Sequence, residues 1–324
     1  MADVLVSENI VGPAMDALKQ SCDVLFDAEL WKNPARLADA LAQCRALIVR
    51  NQTQVTAELI ARGGKLQIIA RAGVGLDNID VQAASRAGIV VSFTPSQNSI
   101  SVAELTIGLM IALARKLPAA DRHVKGGGWA RHRFMGSELY GKTLGIVGFG
   151  RIGFLTARRA AAFGMDVLAY DPYLDPDALT VADARPRITG LDELLAAADF
   201  VTCHLPSNEQ TQGMFTYERF CQMKPGAFFV NLARGEVVDE AGLLRALEEG
   251  KIAGAGLDVR AKEPPEKGPF DALENVILAP HIGGFTHEAQ QRVVASVCRD
   301  VAAVLGGGKA VNYANFPLPQ RRHE

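Results

Sequence analysis

The sequence predicts an α/β protein built from two doubly wound, parallel-sheet domains. Short apolar runs rich in Val and Ile alternate with amphipathic segments, and this alternation is typical of parallel strands joined by helices. The chain has 324 residues, more than a single core usually holds. The alternation also stops at three glycines, residues 126–128, and starts again at Lys142. Two domains therefore account for the pattern.

Before the glycine run, short apolar stretches rich in β-branched residues predict a series of buried strands. They are Asp3–Ser7, Asp23–Phe26, Ala46–Arg50, Leu66–Arg71 and Ile89–Phe93. Apolar residues at helical spacing between them predict the helices Pro13–Gln20, Pro34–Cys44 and Thr56–Arg62. A longer helix is predicted at Ile100–Arg115, with Ser99 or Ser101 as its cap.

After Lys142 a second series of strands is predicted. They are Thr143–Val147, Asp166–Tyr170, Phe200–His204, Ala227–Asn231, Ala255–Val259 and Val276–Leu278. Helices are predicted between them at Ile152–Phe163, Asp192–Ala198 and Glu240–Glu249. The last amphipathic segment, His287–Leu305, has no strand after it, so we expect it to pack on the first domain. The expected domains are residues 1–98 with 286–324, and residues 99–285.

Composition restricts the class of protein. The formal net charge of −2 argues against a general nucleic-acid or membrane-surface binder. The five cysteines stand apart without a CxxC pair, which predicts reduced thiols rather than disulfides. Asp3 and Glu8 stand where a signal peptide needs an apolar core, and the apolar stretch Leu105–Ala114 is too short to span a bilayer. We therefore expect a cytoplasmic protein.

A glycine motif follows the predicted strand Thr143–Val147 and opens a predicted helix. It runs Gly148, Phe149, Gly150, Arg151, Ile152, Gly153. The first glycine permits a tight turn, the second lets the backbone approach a pyrophosphate, and the third lets the helix pack close to the strand. The helix N-terminus also favours phosphate charge. The motif predicts a dinucleotide site, and the alternative is a plain glycine-rich turn.

Asp171 ends the next predicted strand, Asp166–Tyr170. A carboxylate in this place can accept two hydrogen bonds from the adenosine ribose and repels a 2′-phosphate. Pro172 and Tyr173 follow it, so no adjacent arginine neutralises such a phosphate. The sequence therefore predicts NAD rather than NADP, although a solvated aspartate is the structural alternative.

Arg234, Glu263 and His281 follow three later predicted strands. Because parallel strands end at the same edge of a sheet, we expect these side chains to converge. Reduction of a 2-oxo acid places negative charge on the carbonyl oxygen, which a histidine oriented by a carboxylate can protonate. An arginine can hold the substrate carboxylate. The separate alternatives are a capped turn histidine, a surface glutamate and a structural ion-pair arginine.

Three motifs carry a family resemblance: residues 147–153 (VGFGRIG), residues 230–240 (VNLARGEVVDE) and residues 279–284 (APHIGG). With them, nearly the whole chain resembles the D-isomer-specific 2-hydroxyacid dehydrogenases. The resemblance implies a Rossmann NAD-binding domain inserted in a flavodoxin-like substrate domain. It also implies hydride transfer between the nicotinamide and C2 of a D-2-hydroxy acid, with Arg234, Glu263 and His281 as the catalytic residues.

The same resemblance implies further contacts with the cofactor. Asp258 and the backbone near Ala233 would hold the nicotinamide carboxamide, and residues 204–206 would lie along the adenosine side. The full set of implied cofactor contacts outside the glycine motif is Thr106, Asp171, His204, Leu205, Pro206, Thr211, Leu232, Ala233, Asp258 and Gly283.

For the substrate, residues 71–80 (RAGVGLDNID) resemble the family's substrate loop, in which the amides of Val74 and Gly75 would receive a carboxylate. Asn98 lies in a segment that reaches the site at the hinge in this family. Arg50 and Arg71 match anion-binding positions of the branch that oxidises 3-phosphoglycerate. Residues 129–139 also resemble that branch and add the arginines 131 and 133. Such a cluster can bind a second anionic group, and the alternative is a structural or subunit-joining role.

The first expectation for the substrate is therefore 3-phosphoglycerate, or 3-phosphohydroxypyruvate in reverse. Hydroxypyruvate, glyoxylate and sulfolactate are the alternatives. Regulatory domains common in that branch are not expected in this chain. In addition, Arg260-Ala261 stands where the family usually has an aromatic residue and an acid. Arg260 either adds positive charge to the site or contacts a partner subunit.

Two other functions occur on this scaffold. Formate dehydrogenases carry Gln in place of the catalytic Glu, so Glu263 argues against that activity. An NAD(H)-sensing corepressor would keep the glycine motif, and turnover of a 2-oxo acid would exclude it. The apolar face at residues 105–114 predicts a homodimer. No metal, nucleic acid or membrane is expected as a partner.

Overall fold

The computed structural model describes residues 2–174 and 186–320. These residues form two compact units. The first contains residues 2–98 and 287–320, and the second contains residues 99–286 apart from 175–185. The first unit is therefore discontinuous in sequence, and the second is inserted into it.

The first unit is built on a parallel sheet. Its strands are β1 (Val4–Val6), β2 (Val24–Phe26), β3 (Ala46–Val49), β4 (Ile68–Arg71) and β5 (Val90–Ser92). Among the described residues the strand order is β2-β1-β3-β4-β5, which is the flavodoxin-like order. β1, β3 and β5 are buried along their whole length, as expected for strands covered on both faces.

Helices connect these strands. They are α1 (Pro13–Ser21), α2 (Pro34–Leu41), α3 (Ala57–Arg62) and α4 (Val81–Arg86). Side-chain caps begin three of them: Asn33, Thr56 and Asp80 each accept a hydrogen bond from a first-turn amide. Helix α4 was not predicted from the sequence, because its six residues bury only Ala83 and Ala84 and so leave no apolar stripe.

The second unit is built on a longer parallel sheet. Its strands are β6 (Thr143–Val147), β7 (Asp166–Tyr170), β8 (Arg187–Ile188), β9 (Phe200–Cys203), β10 (Phe228–Asn231), β11 (Gly254–Leu257) and β12 (Val276–Leu278). In the described parts of the chain the order is β12-β11-β10-β9-β6-β7-β8. This is the Rossmann order with one added strand. The sheet grows outward from β6 in one direction through β7 and β8, and in the other direction from β9 onward, so the strand order reverses between β6 and β9. Ligands of such sheets bind at that reversal, outside the carboxyl ends of the strands.

The helices of the second unit cover both faces of its sheet. They are α5 (Ser99–Ala114), α6 (Leu117–Lys125), α7 (Arg151–Ala162), α8 (Leu191–Ala197), α9 (Tyr217–Gln222) and α10 (Glu240–Glu248). Helices α6 and α9 were not predicted from the sequence. Helix α6 buries none of its residues, and α9 is a short helix that buries only Phe220. Helix α6 nevertheless carries apolar residues at helical spacing, Leu117, Ala120 and Val124, that could have predicted it, whereas α9 is too short to show a period.

The apolar face at residues 105–114 packs largely within its own unit. Leu109, Met110 and Leu113 are buried in the same cluster as Leu144 of β6 and Ala157 of α7. Part of this face is therefore covered within its own unit, and the expectation of a homodimer stays a prediction. The helix is apolar because it packs against its own sheet and α7.

The helix α11 (His287–Leu305) belongs to the first unit. Its apolar stripe, which includes Val293, Val297 and Val301, packs in the core with residues of α1 and β4. The chain then turns back along β5, where Tyr313 forms an antiparallel bridge with Ser92.

Asp300 ties the segment after α11 to that helix. Its side chain is 1% exposed, and its carboxylate accepts hydrogen bonds from the amides of Val311 and Asn312 and from the guanidinium of Arg299. A buried carboxylate is stable only when its oxygens are paired in this way. Asp300 therefore holds residues 310–313 in place.

No helix among residues 2–174 and 186–320 combines the length and the apolarity that crossing a bilayer requires.

We expect Asp300→Ala to lower the free energy of unfolding by about 2–3 kcal/mol, because hydrogen bonds to a buried charge are lost and two amides lose their acceptor. Glu29→Ala is the matched control, since it removes an exposed Lys32–Glu29 pair of the same unit and should cost at most about 0.5 kcal/mol. Urea unfolding checks both. Equal effects of the two changes would contradict the role of Asp300.

Candidate active site

Three loops of the second unit carry the predicted catalytic residues. Arg234 follows β10, Glu263 follows β11 and His281 follows β12. The three strands are parallel neighbours in the sheet, so their loops leave from the same edge. The structure thus places the three residues at the carboxyl edge, where ligands of open α/β sheets bind.

His281 and Glu263 form a hydrogen-bonded pair. The imidazole Nδ1 lies 2.7 Å from Oε2 of Glu263. The other carboxylate oxygen, Oε1, accepts a hydrogen bond from the backbone N–H of Arg260 at 3.0 Å. Both side chains are open to solvent, with 51% of His281 and 37% of Glu263 exposed. The pair therefore leaves Nε2 of His281 as the ring nitrogen available to a substrate.

The backbone of His281 has a left-handed conformation, with φ of +55°. Non-glycine residues adopt this region rarely and at an energetic cost. Asp258, which is 2% exposed, stabilises the turn: its carbonyl accepts from the His281 N–H, and its carboxylate accepts from the amides of Ile282 and Gly283. Asp258 thus fixes the direction in which the imidazole leaves the chain.

Arg234 is positioned by Asn231, the last residue of β10. The Asn231 side chain accepts from the Ala233 N–H and donates to the Arg234 carbonyl, which fixes the path of the loop. The guanidinium of Arg234 donates to the Ala233 carbonyl and is half-buried. Cys203 donates to the same Asn231 oxygen, and burial raises the pKa of its thiol.

Arg260 does not add free positive charge to the site. Its guanidinium makes two hydrogen bonds of 2.9 Å to the two carboxylate oxygens of Glu240. These bonds hold the pKa of Glu240 below its usual value. The charge of Arg260 is therefore compensated within its own unit, which argues against the first of the two roles considered for it, an added positive charge at the site.

The glycine motif has the geometry expected of a dinucleotide turn. Gly148 has φ of +91°, and a Cβ there would lie 2.8 Å from the carbonyl oxygen of His204. A Cβ at Gly153 would lie 2.5 Å from the Gly148 carbonyl oxygen, so the close approach of α7 to β6 requires glycine. Gly150 faces open space and caps α7 without a side-chain hydrogen bond. The amides at the start of α7, including those of Arg151 and Ile152, can therefore face a pyrophosphate.

Asp171 stands at the end of β7, beside this turn. Its carboxylate accepts hydrogen bonds from the backbone amides of Phe149 and Tyr173. Each oxygen retains lone pairs for further donors. A carboxylate with this placement fits an adenosine ribose, so the residues present fit NAD.

His204 lies at the end of β9, next to the glycine motif. Its Nδ1 is buried without a hydrogen-bond partner, and its Nε2 lies 3.3 Å from the Thr202 hydroxyl. Burial lowers the pKa of His204 to about 3, so its ring is neutral near pH 7. After Leu205, the Thr211 hydroxyl donates to the Pro206 carbonyl and closes the loop.

The other residues implied to contact the cofactor are buried or hydrogen-bonded within the second unit. The hydroxyl of Thr106 is fully buried in α5 and donates to the Val102 carbonyl. Leu232 and Ala233 are buried in the loop after β10, and Gly283 donates to Asp258. Their contacts with a cofactor remain predictions.

In the first unit, Glu8 organises the loop that carries Arg50. Its carboxylate accepts hydrogen bonds from the amides of residues 50, 51, 52 and 53. Burial lowers the pKa of Arg50, and Glu8 partly offsets this effect. The guanidinium donates to Gln290, and its Nε has no partner.

Asn78 connects the two arginines predicted to bind substrate. Its side-chain amide donates to the carbonyls of Arg50 and Thr53, and its oxygen accepts from Nε of Arg71 at 3.4 Å. Val74 and Gly75 lie in the half-buried loop between Arg71 and Asn78.

Three further sequence predictions concern residues at the edges of the units. The side-chain oxygen of Asn98, at the end of the first unit, is buried without a partner. Arg131 and Arg133, in the second unit, are exposed. Arg133 pairs with Glu274 at 3.6 Å, so it has a structural partner of its own.

Glu8, Asn78, Asn231 and Glu240 had no role assigned from the sequence. A signal was available for all four, since Asn78 lies within the 71–80 substrate-loop motif. Glu8 follows a strand as Arg234 does, and Asn231 and Glu240 lie in the same motif as Arg234. Their partners are backbone groups or distant side chains, which the sequence does not reveal.

Comparison with known proteins places this geometry in a family. Residues 107–283 match the family described as D-isomer specific 2-hydroxyacid dehydrogenase, NAD binding domain. The chain is 43% identical over 323 residues to a D-3-phosphoglycerate dehydrogenase of Methanocaldococcus jannaschii. The match covers 99% of this chain, which spans 61% of the length of that relative.

Solved structures agree over almost the whole chain. A protein of Thermus thermophilus superposes with a TM-score of 0.89 at 34% identity, covering 96% of this chain and 99% of that one. A D-lactate dehydrogenase from Aquifex aeolicus, complexed with NAD and lactic acid, gives a TM-score of 0.84 at 28% identity, covering 97% and 99%. The chain therefore belongs to the D-isomer specific 2-hydroxyacid dehydrogenases.

Proposed function

We propose that this chain is an NAD-dependent oxidoreductase that interconverts a D-2-hydroxy acid and its 2-oxo acid. The observation that carries the proposal is the His281–Glu263 pair, with its 2.7 Å contact, at the strand edge that also bears the glycine motif. A proton donor oriented by a carboxylate, beside a dinucleotide site, is the arrangement that carbonyl reduction requires.

The amides after Gly150 bind the pyrophosphate, and Asp171 binds the adenosine ribose. Asp258, Leu232 and Ala233 border the nicotinamide end. When bound, NAD supplies the ring that accepts or gives the hydride. The carboxylate of Asp171 opposes a 2′-phosphate, so the chain favours NAD over NADP.

The residues of the site divide the remaining chemistry. Glu263 accepts from Nδ1 of His281, which leaves Nε2 to give a proton to the substrate oxygen during reduction and to take it back during oxidation. Arg234 holds the substrate carboxylate through charge-assisted hydrogen bonds. In the first unit, the amides of Val74 and Gly75, with Asn98, are also proposed to bind substrate.

We propose 3-phosphohydroxypyruvate and 3-phosphoglycerate as the substrate pair. Arg50 and Arg71 support this choice because Glu8 and Asn78 fix the backbone at Arg50, and Asn78 also accepts from the guanidinium of Arg71. Two ordered guanidinium groups suit a phosphate or a sulfonate. Hydroxypyruvate, glyoxylate and sulfopyruvate, the oxidised form of sulfolactate, are the competing substrates.

The proposal includes a cytoplasmic homodimer. Its support lies in the second unit, where Trp129, Met135 and Tyr140 are 84%, 75% and 77% exposed. Large apolar side chains grouped along one segment are typical of subunit contacts. Light scattering that gives the mass of one chain would contradict the dimer.

NADH oxidation with 3-phosphohydroxypyruvate, hydroxypyruvate, glyoxylate, pyruvate and sulfopyruvate, repeated with NADPH, tests the proposal. Preference for a dianionic substrate supports the arginine pair as a second anion site. Preference for glyoxylate or hydroxypyruvate assigns the arginines a structural role. Tight NADH binding without turnover of any of them would contradict the proposed reaction and favour a sensor of NAD(H).

The variant Arg50→Met tests the substrate choice directly. We expect it to raise KM for 3-phosphohydroxypyruvate by roughly 10- to 100-fold, because a charge-assisted hydrogen bond is lost. KM for glyoxylate, which lacks the second anion, should change little. Arg36→Met is the control, since Arg36 forms an exposed pair with Asp27. Equal changes for both substrates would contradict the second anion site.

His281→Ala should lower kcat by roughly 100- to 10,000-fold, because the proton donor is lost. The affinity for NADH, measured by fluorescence titration, should stay close to that of the wild type. His287→Ala, a change at an exposed histidine, controls for nonspecific effects. An unchanged kcat in a folded His281→Ala protein would remove His281 from the mechanism.

Asp171→Ala should weaken NAD binding by roughly 10- to 100-fold, because the acceptor for the ribose is lost. The same change removes the charge that opposes a 2′-phosphate, so the ratio of kcat/KM for NADH over NADPH should fall. Steady-state kinetics with both cofactors measures this ratio. An unchanged ratio would show that Asp171 does not select the cofactor.

A further inference from the structure

Glu240 and Arg260 form a partly buried ion pair beside the catalytic loop. The pair is bidentate, with Nε and Nη2 of Arg260 each 2.9 Å from one carboxylate oxygen of Glu240. The side chains are 14% and 27% exposed, for Arg260 and Glu240. Paired geometry of this kind is stronger and more directional than an exposed ion pair.

The pair acts on the backbone that holds Glu263. Oε1 of Glu240 also accepts a hydrogen bond from the Ala261 N–H, at 2.9 Å. The N–H of Arg260 donates to Oε1 of Glu263, at 3.0 Å. One carboxylate of α10 therefore fixes both the side chain of Arg260 and the next peptide, and the same segment donates to Glu263.

Two contacts complete this arrangement. The guanidinium of Arg260 lies over the ring of Phe270, with Cζ 4.9 Å from the ring centroid. Gly235, next to Arg234, packs against the backbone of Arg260 so closely that any Cβ there would overlap it. The loops that carry Arg234 and Glu263 are therefore in direct backbone contact.

We propose that Glu240 and Arg260 are positioning residues for catalysis. They hold residues 260–263 so that Glu263 meets Nδ1 of His281, and the contact at Gly235 sets this loop against that of Arg234. The inference rests on the proposed function, because it concerns the same proton transfer. Neither residue touches the reacting atoms, so the effect of each runs through Glu263.

The side-chain chemistry explains why arginine serves here. A guanidinium presents two parallel donors and a flat face, so it can bind one carboxylate twice and stack on a ring. Lysine would keep the charge but only a single directional contact. The kcat of Arg260→Lys should therefore lie between that of Arg260→Met and that of the wild type.

The test compares Arg260→Met and Glu240→Gln with the wild type. We expect kcat to fall by roughly 10- to 100-fold in Arg260→Met, as is typical when a residue that orients a catalytic group is removed. KM for the 2-oxo acid and Kd for NADH should not change. The solvent kinetic isotope effect on kcat should rise, because proton transfer by a poorly oriented His281 becomes slower than the other steps.

Arg245→Met is the matched control. It removes another Arg–Glu pair that involves α10, Arg245–Glu249, which is exposed and lies against the ring of Tyr217 rather than the catalytic loop. We expect its kcat and isotope effect to equal those of the wild type. An unchanged kcat and isotope effect in Arg260→Met, or a joint change of kcat, KM and Kd, would overturn the proposal.

A second readout separates this inference from the proposed reaction. In protein labelled with ¹⁵N-histidine, the Nδ1 signal of His281, identified by its loss in His281→Ala, reports the bond to Glu263 without any turnover. Arg260→Met should shift that signal, and Arg245→Met should not. If the signal shifts in Arg260→Met but the wild type turns over none of the tested substrates, only the proposed substrates are contradicted. An unmoved signal would overturn the positioning role even in an active enzyme.

Discussion

At the carboxyl edge of the longer sheet, the buried carboxylate of Asp258 accepts hydrogen bonds from the backbone N–H groups of Ile282 and Gly283. The backbone carbonyl of Asp258 accepts a third, from the N–H of His281. The left-handed backbone of His281 persists because these three bonds offset its cost. Without them the imidazole would leave the chain in another direction and would not meet Glu263. Asp258 is buried directly after a buried strand, so the rigid β-sheet core fixes the backbone position of His281.

Backbone groups do much of the positioning at this edge. Gly148 and Gly153 allow the turn and α7 to approach more closely than side chains permit, and Asn231 fixes the carbonyl and amide next to Arg234. In the first unit, the carboxylate of Glu8 likewise accepts hydrogen bonds from the four successive backbone amides of residues 50–53. Asn231, at the end of one strand, and Glu8, just after another, thus each organise a loop that presents an arginine. Such loops need little rearrangement to bind a ligand, which is the physical basis of preorganised sites.

The sequence predicted those parts of the structure that depend on local patterns. Strands such as Thr143–Val147 and helix His287–Leu305 match the predicted ranges because apolar periodicity marks them. Helix α6 was missed although Leu117, Ala120 and Val124 stand at helical spacing. The role of the 105–114 face could not be settled from the sequence, because an apolar helix face looks the same whether it is covered by its own sheet or by a second subunit. The ion pair of Arg260 with Glu240 and the conformation of His281 depend on tertiary contacts, so no local pattern could reveal them.

The segment after α11 has a consequence for folding. β5 is an edge strand, and its outer side is occupied by residues 313–315: the Ala314 N–H donates to the Val91 carbonyl, and the side chain of Asn315 accepts from the Val91 N–H. During synthesis β5 leaves the ribosome long before this segment does. Its edge therefore stays unprotected until residues 313–315 have been synthesised, and an open strand edge can pair with another chain. Residues 313–315 thus cover the strand edge at which such pairing would otherwise occur.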